Sequence, residues 1–119
     1  MTQEEKQLLL KDLCSRLPYG VKCKLSAKGA DISITEKLET GGLEHFIFGT
    51  MDVKPYLRPL SSMTEEEWDE YYHYGTVGTL NLKNEACGID WLNAHHFDYR
   101  GLIEKGLALE APAGMYKTA

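Results

Sequence analysis

The chain is short of the residues that organise several familiar protein classes. Its three cysteines, Cys14, Cys23 and Cys87, are odd in number and widely spaced, with no Cys-x-x-Cys pair. Neither a disulfide framework nor a zinc ribbon is therefore expected. No apolar run approaches the ~20 residues of a membrane-spanning helix. The N-terminus MTQEEKQLLLKDLC also lacks the basic region and uninterrupted apolar stretch of a signal peptide, so a cytoplasmic protein without a membrane partner is the expectation. Glycines at 41, 42, 75, 78 and 88 match neither dinucleotide-binding nor Walker spacing. Positive charge is scarce too, with 13 Lys and Arg against 18 Asp and Glu for a net charge of −5. That balance weighs against general nucleic-acid binding, because phosphates attract positive surfaces. The closest basic cluster, Lys22, Lys24 and Lys28, still leaves room for a local basic face.

What is present suits an ordinary globular protein. At 119 residues, with 43% apolar and 26% charged residues, the chain has the size of one domain and enough apolar side chains to offset its ordering entropy. A single domain over 1–119 is expected, with 111–119, APAGMYKTA, as a flexible tail.

Residues 2–17 read as an amphipathic helix. Thr2 and Glu5 form a capping box, and Leu9, Leu10, Leu13, Cys14 and Leu17 form an apolar stripe. Cys14 and Cys23 are expected to face inward as small hydrophobes. Pro18 and Gly20 stop the helix. Three short antiparallel strands follow from period-two patterning: Val21 to Leu25, Ile32 to Thr35, and the aromatic-rich Leu43 to Thr50. The two prolines of MDVKPYLRPLSS argue against a long regular element there. A second helix starts at Thr64, the N-cap, with Glu67 as its reciprocal partner and Met63 and Trp68 at the staple positions. It is expected to end at Gly75. Thr76 to Gly88 reads equally well as strand or loop, and EACGIDWLNAH as a further helix buried through Ile89 or Trp91 and Leu92. The fold class is α+β: an N-terminal helix, a small antiparallel sheet of about three strands, and two or three C-terminal helices.

Three blocks, LLLKDLCSRLPYGVK at 8–22, KPYLRPLSSMTEEE at 54–67 and DWLNAHHFDYRGLIEKGLALEAP at 90–112, together resemble a family of small uncharacterised proteins of gut Bacteroidales and their phages or mobile elements. The resemblance covers roughly half of the chain. It implies an accessory gene product of the bacterial cytoplasm and transfers no site residue.

The densest polar cluster is NAHHFDYRG at 93–101. With Asp98 as an N-cap, Phe97 and Leu102 become a hydrophobic staple, a helix runs from Tyr99 to Lys105, and the histidines lie at the end of the preceding helix. A metal site would draw on His95 and His96, with His73, His45 or Cys87 supplying a third ligand. Adjacent histidines on a helix point about 100° apart, however, which disfavours a shared ion. Arg100 at the positive end of a helix is unfavourable, so it either forms a tertiary ion pair or reaches a partner, with the acidic run 65–70 as one counterpart, or stays solvated at a cost of a few tenths of a kcal/mol. Trp68, Tyr71 and Tyr72, at i, i+3 and i+4, suit the core. Tyr74, His73, Glu66 and Glu70 are left as candidates for an exposed interaction surface.

No catalytic motif and no cofactor are read from the chain. The expected function is a small accessory or protein-interaction protein with an unknown protein partner or self-association. A helix-turn-helix-like nucleic-acid-binding regulator is the first alternative. A metal-binding protein or enzyme using His95 and His96 is the second.

Overall fold

The structure is a computed structural model, and it describes residues 2–27, 32–76 and 84–116, with side chains given except at 73–76 and 84–87. Helix α1 (Gln3–Arg16) begins as expected: Thr2 Oγ1 accepts from the Glu5 amide while the Glu5 carboxylate accepts from the Thr2 amide. A single 3-10 turn, Leu17–Tyr19, carries Pro18 and ends at Gly20, whose φ of 72° suits a residue without a Cβ. Strands β1 (Lys22–Ala27) and β2 (Ser33–Lys37) then pair antiparallel, with Leu25 opposite Ile34.

The next segment departs from the sequence reading. Residues expected to be the third strand form helix α2 (Thr40–Phe48), closed by Gly49 at φ 73°. Leu43 and Phe46 turn to the core at helical spacing, and Gly42 brings the helix close to Leu38 and Leu25. The third strand is instead β3 (Met51–Pro59), the stretch whose prolines argued against it. Both prolines fall where a partner ends, the position in which a missing N–H is tolerated. Pro55 faces Cys23 at the last rung of the antiparallel pair with β1, and Pro59 is the final residue of the strand.

Beyond Pro55, β3 changes partners. It pairs in parallel with β4 (Phe97–Asp98) through Arg58 and Pro59, and with β5 (Leu109–Glu110) through Tyr56 and Leu57. The result is a mixed sheet of five strands, ordered β2-β1-β3-β4 with β5 also on β3, where about three antiparallel strands were expected. Where β1 parts from β3, the Tyr116 hydroxyl accepts from the Lys22 amide at 2.8 Å and donates to the Tyr56 carbonyl at 2.7 Å. The expected flexible tail is therefore docked as far as Tyr116. Residues 117–119 lie outside the described residues.

Helices α3 (Glu65–Thr76) and α4 (Asn84–Ala94) pack on one another at the β4 end of the sheet. Helix α3 runs through Gly75, which was expected to stop it. The strand-or-loop question for 76–88 falls largely on 77–83, outside the described residues, while 84–88 open α4. The expected helix Tyr99–Lys105 is absent. In its place β4 leads into turns over 102–106, with Gly101 and Gly106 at positive φ.

The main core lies on one side of the sheet. Leu9 and Leu13 of α1 and Phe46 of α2 meet Val21, Cys23, Leu25, Val53 and Leu57, with Leu102 and Leu107 closing the far end. A second cluster joins Trp91, Leu92 and Phe97 with Met63, Tyr71 and Tyr99. The buried stripe of α1 is rotated from the expected one: Asp12 and Arg16 are fully buried, and Cys14 is exposed. Asp12 can turn inward because it meets two guanidinium groups there, and Cys14 is displaced to solvent as a consequence. Cys23 does face inward, and burial pushes its thiol up to about 12, with Asp12 adding to the effect.

Candidate functional site

Most of the residues singled out by sequence fall into two places, the 93–101 joint and helix α3. In the joint, α4 ends at Ala94 and the His96 amide returns to the Asn93 carbonyl, with His96 itself at φ 64°. That left-handed conformation is the helix-stop geometry usually taken by Gly or Asn. It sends the two imidazoles to different neighbours. His95 stacks on Trp91 at 4.0 Å, with Nε2 3.7 Å from a Glu70 oxygen, while His96 stacks on Tyr116 at 3.7 Å. Among the described residues no group of three or more His, Cys, Asp or Glu side chains is placed to hold a metal ion. His45 lies apart, bonded to Thr50 through Nδ1. The side chains of His73 and Cys87 lie outside the described residues.

Asp98 caps, but a turn and not a helix. Its Oδ1 accepts from the Leu102 amide at 2.9 Å and its Oδ2 from the Ile103 amide at 3.0 Å. Phe97 and Leu102, expected as a staple, belong to different clusters. The helix-turn-helix alternative loses its second helix here.

Arg100 forms the expected tertiary ion pair, though its partner is Asp12 of α1, at 3.0 Å, and not the 65–70 run. Without a helix at 99–105, the dipole objection to this cation disappears. Asp12 also holds Arg16 at 2.8 Å, and Arg16 donates to the Phe97 carbonyl at 2.6 Å. The Tyr99 ring carries both guanidinium groups, at 5.2 Å and 4.8 Å. This cluster ties α1 to the joint, and the full burial of Asp12 and Arg16 at its centre makes it structural.

His96 is the sensitive member of the joint. Burial, then the nearby Arg16, His95, Arg58 and Lys22, pulls its pKa down to about 4. The unfolded chain protonates this imidazole near its ordinary value of about 6.5 and the folded chain does not, so acidification favours unfolding between those two values. Stability is expected to fall by about 2 kcal/mol as pH drops from 7 to 4.5, allowing for partial solvent screening. Urea unfolding at several pH values measures this, and His96→Asn, which tolerates the same backbone, should flatten the slope.

The second place is α3. Thr64 and Glu67 make the predicted capping box, and Glu67 has a further duty. It takes a bidentate bond from Arg58 at 2.7 Å on both oxygens, which holds its carboxyl down to about 2. Arg58 in turn lies 4.2 Å over the Phe97 ring. Glu70 accepts from Trp91 Nε1 at 2.9 Å. These bonds fix which side of α3 looks inward. Tyr71 packs inward between Trp68 and Trp91 and against Gly88, where a Cβ would come within 3.4 Å of its ring.

The outward face carries Glu65, Trp68, Asp69 and Tyr72, at helical spacing. Trp68 is 54% exposed and Tyr72 63%, so of the three aromatics assigned to the core only Tyr71 belongs there. Leu60, Met63, Thr64, Glu65, Trp68 and Asp69 line a shallow recess of about 580 Å³ at the start of the helix. Glu66 is exposed beside it. The recess combines the apolar side chains of Leu60, Met63 and the half-exposed Trp68 with the polar Thr64, Glu65 and Asp69. Sequence reasoning missed Leu60 and Asp69, and the i, i+4 pair Glu65 and Asp69 around Trp68 was the available signal. The side chains of His73 and Tyr74 lie outside the described residues.

Among the described residues no helix is long and apolar enough to cross a membrane. No protein-family model matches the chain, and comparisons with curated proteins and with solved structures find no match.

Proposed function

We propose that this chain is a small accessory protein of the bacterial cytoplasm that acts by binding another protein, through the recess at the start of α3. The observation that carries the reading is Trp68: a large aromatic kept half in solvent in a recess that pairs the apolar Leu60 and Met63 with the acidic Glu65 and Asp69. Exposed aromatic anchors of this kind supply much of the energy of protein interfaces. The rim carboxylates Glu65 and Asp69, with Glu66 alongside, select a partner segment that combines apolar residues with Lys or Arg. Basic side chains would also meet the face of the indole. No chemistry is assigned to the site.

A fluorescein-labelled helical peptide of leucine and lysine serves as the probe, read by anisotropy. Trp68→Ala is expected to weaken binding by about tenfold or more, equivalent to ~1.4 kcal/mol. Phe48→Ala, at an exposed apolar residue of α2, should leave binding unchanged. Equal losses from the two variants would mean that the peptide adheres without using the recess.

A further inference from the structure

The face of the sheet opposite the main core gathers positive charge that the linear sequence disperses. Strand residues alternate between faces, and Cys23, Leu25 and Val53 point into the core, so Lys22, Lys24, Lys37 and Lys54 all belong to the opposite face. The strand register sets Lys22 directly beside Lys37 and Lys24 directly beside Lys54. Like charges facing one another across strands are destabilising. Nevertheless Lys24, Lys37 and Lys54 make no ion pair among the described residues. Ser26, Ser33 and Thr35 fill the positions between them on the same face, and Asp52 is the one carboxylate there among the described strand residues of β1–β3. The exposed Tyr19 lies at the Lys22–Lys37 end, since a Cβ on its neighbour Gly20 would come within 3.5 Å of the Lys37 side chain.

We propose that this lysine face of β1, β2 and β3 binds the phosphate backbone of a single-stranded nucleic acid. Lysine ammonium groups and Ser or Thr hydroxyls are the donors that phosphate oxygens take. The open face of a sheet suits a flexible strand that can follow it, whereas a rod-like duplex would touch it along a narrow line. Among the described strand residues on this side there is no carboxamide, and the one arginine fork, Arg58, is held by Glu67, so nothing reads base edges and the binding is independent of base sequence. The net charge of −5 makes it weak and confines it to this face, because the field elsewhere repels a polyanion. The surface is separate from the α3 recess and stands or falls without it.

The test uses the full chain with a fluorescein-labelled oligothymidylate, titrated by anisotropy from about 50 mM to 200 mM salt. Neutralising three to four phosphates predicts a slope of log K against log salt of about −2 to −3. Lys24→Glu combined with Lys54→Glu should abolish binding, and Lys37→Glu alone should weaken it several-fold. Circular dichroism checks that each variant is folded, which is expected because Lys37→Glu relieves its like-charge pair with Lys22 and the double reversal exchanges one cross-strand like-charge pair for another. Binding to oligothymidylate that exceeds binding to polyglutamate of matched charge supports the proposal. Equal or tighter binding to polyglutamate would make the face a dock for acidic protein and overturn it. So would no binding at the lowest salt, or folded Lys→Glu variants that bind as the wild type does.

Discussion

Asp12→Ala is expected to destabilise the protein by about 3–5 kcal/mol, the range for removing one partner of a buried ion pair. Asp12 and Arg16 are both fully buried, and Asp12 is the carboxylate that both Arg16 and Arg100 meet. Its removal leaves two cations facing one another around the Tyr99 ring. Arg16 keeps its bond to the Phe97 carbonyl, but a neutral acceptor does not cancel a buried charge. Against the total of about 5–15 kcal/mol that natural domains possess, this is a large fraction. The melting temperature should fall by roughly 10–20 °C. Asp12→Leu with Arg16→Met, which removes the pair together, should cost less than the single change, because apolar residues need no desolvation. A loss below about 1 kcal/mol for Asp12→Ala would mean that water reaches the cluster.

Phe97→Ala should cost a similar amount, about 3–5 kcal/mol for a large aromatic removed from a core. The ring is fully buried, lies nearly parallel to Trp91 at a centroid separation of 5.8 Å, and supports the Arg58 guanidinium at 4.2 Å. Arg58 also grips Glu67 at the start of α3, so the loss extends from the joint to the recess. Denaturant unfolding measures the cost. A red shift of tryptophan emission in the native state would report that Trp91 has become wetter. Retention of the wild-type midpoint would show that α3 and α4 hold together without this ring.

The helix starts were legible because their determinants are local. Thr2 with Glu5 and Thr64 with Glu67 each satisfy orphan amides within one turn, and no distant residue can change that. The alternation that placed β1 and β2 is local as well. The failures occur where a distant partner decided. Leu43 to Thr50 has aromatic residues that favour strands in general, yet its spacing let Leu43 and Phe46 close one side of the core as a helix. The prolines at 55 and 59 fit a strand because β3 changes neighbours there, which nothing within the segment announces.

The candidate sites divide in the same way. Glu65, Glu66 and Trp68 were visible as an acidic, aromatic helix start, but which aromatics face outward depended on Gly88 and Trp91 of another helix. His95 and His96 drew notice by adjacency, and a left-handed residue at the helix end turned their rings apart. By itself the sequence determined where α1 and α3 begin and the period of the first two strands, because these depend on neighbours a few residues away. Only the tertiary structure decided that Asp12 and Arg16 turn inward to meet Arg100, that β3 is the centre of a five-stranded sheet, and that lysines scattered from 22 to 54 stand on one face. Each of those outcomes is set by pairing across long sequence separations, where charge compensation and register outweigh what any short segment prefers alone.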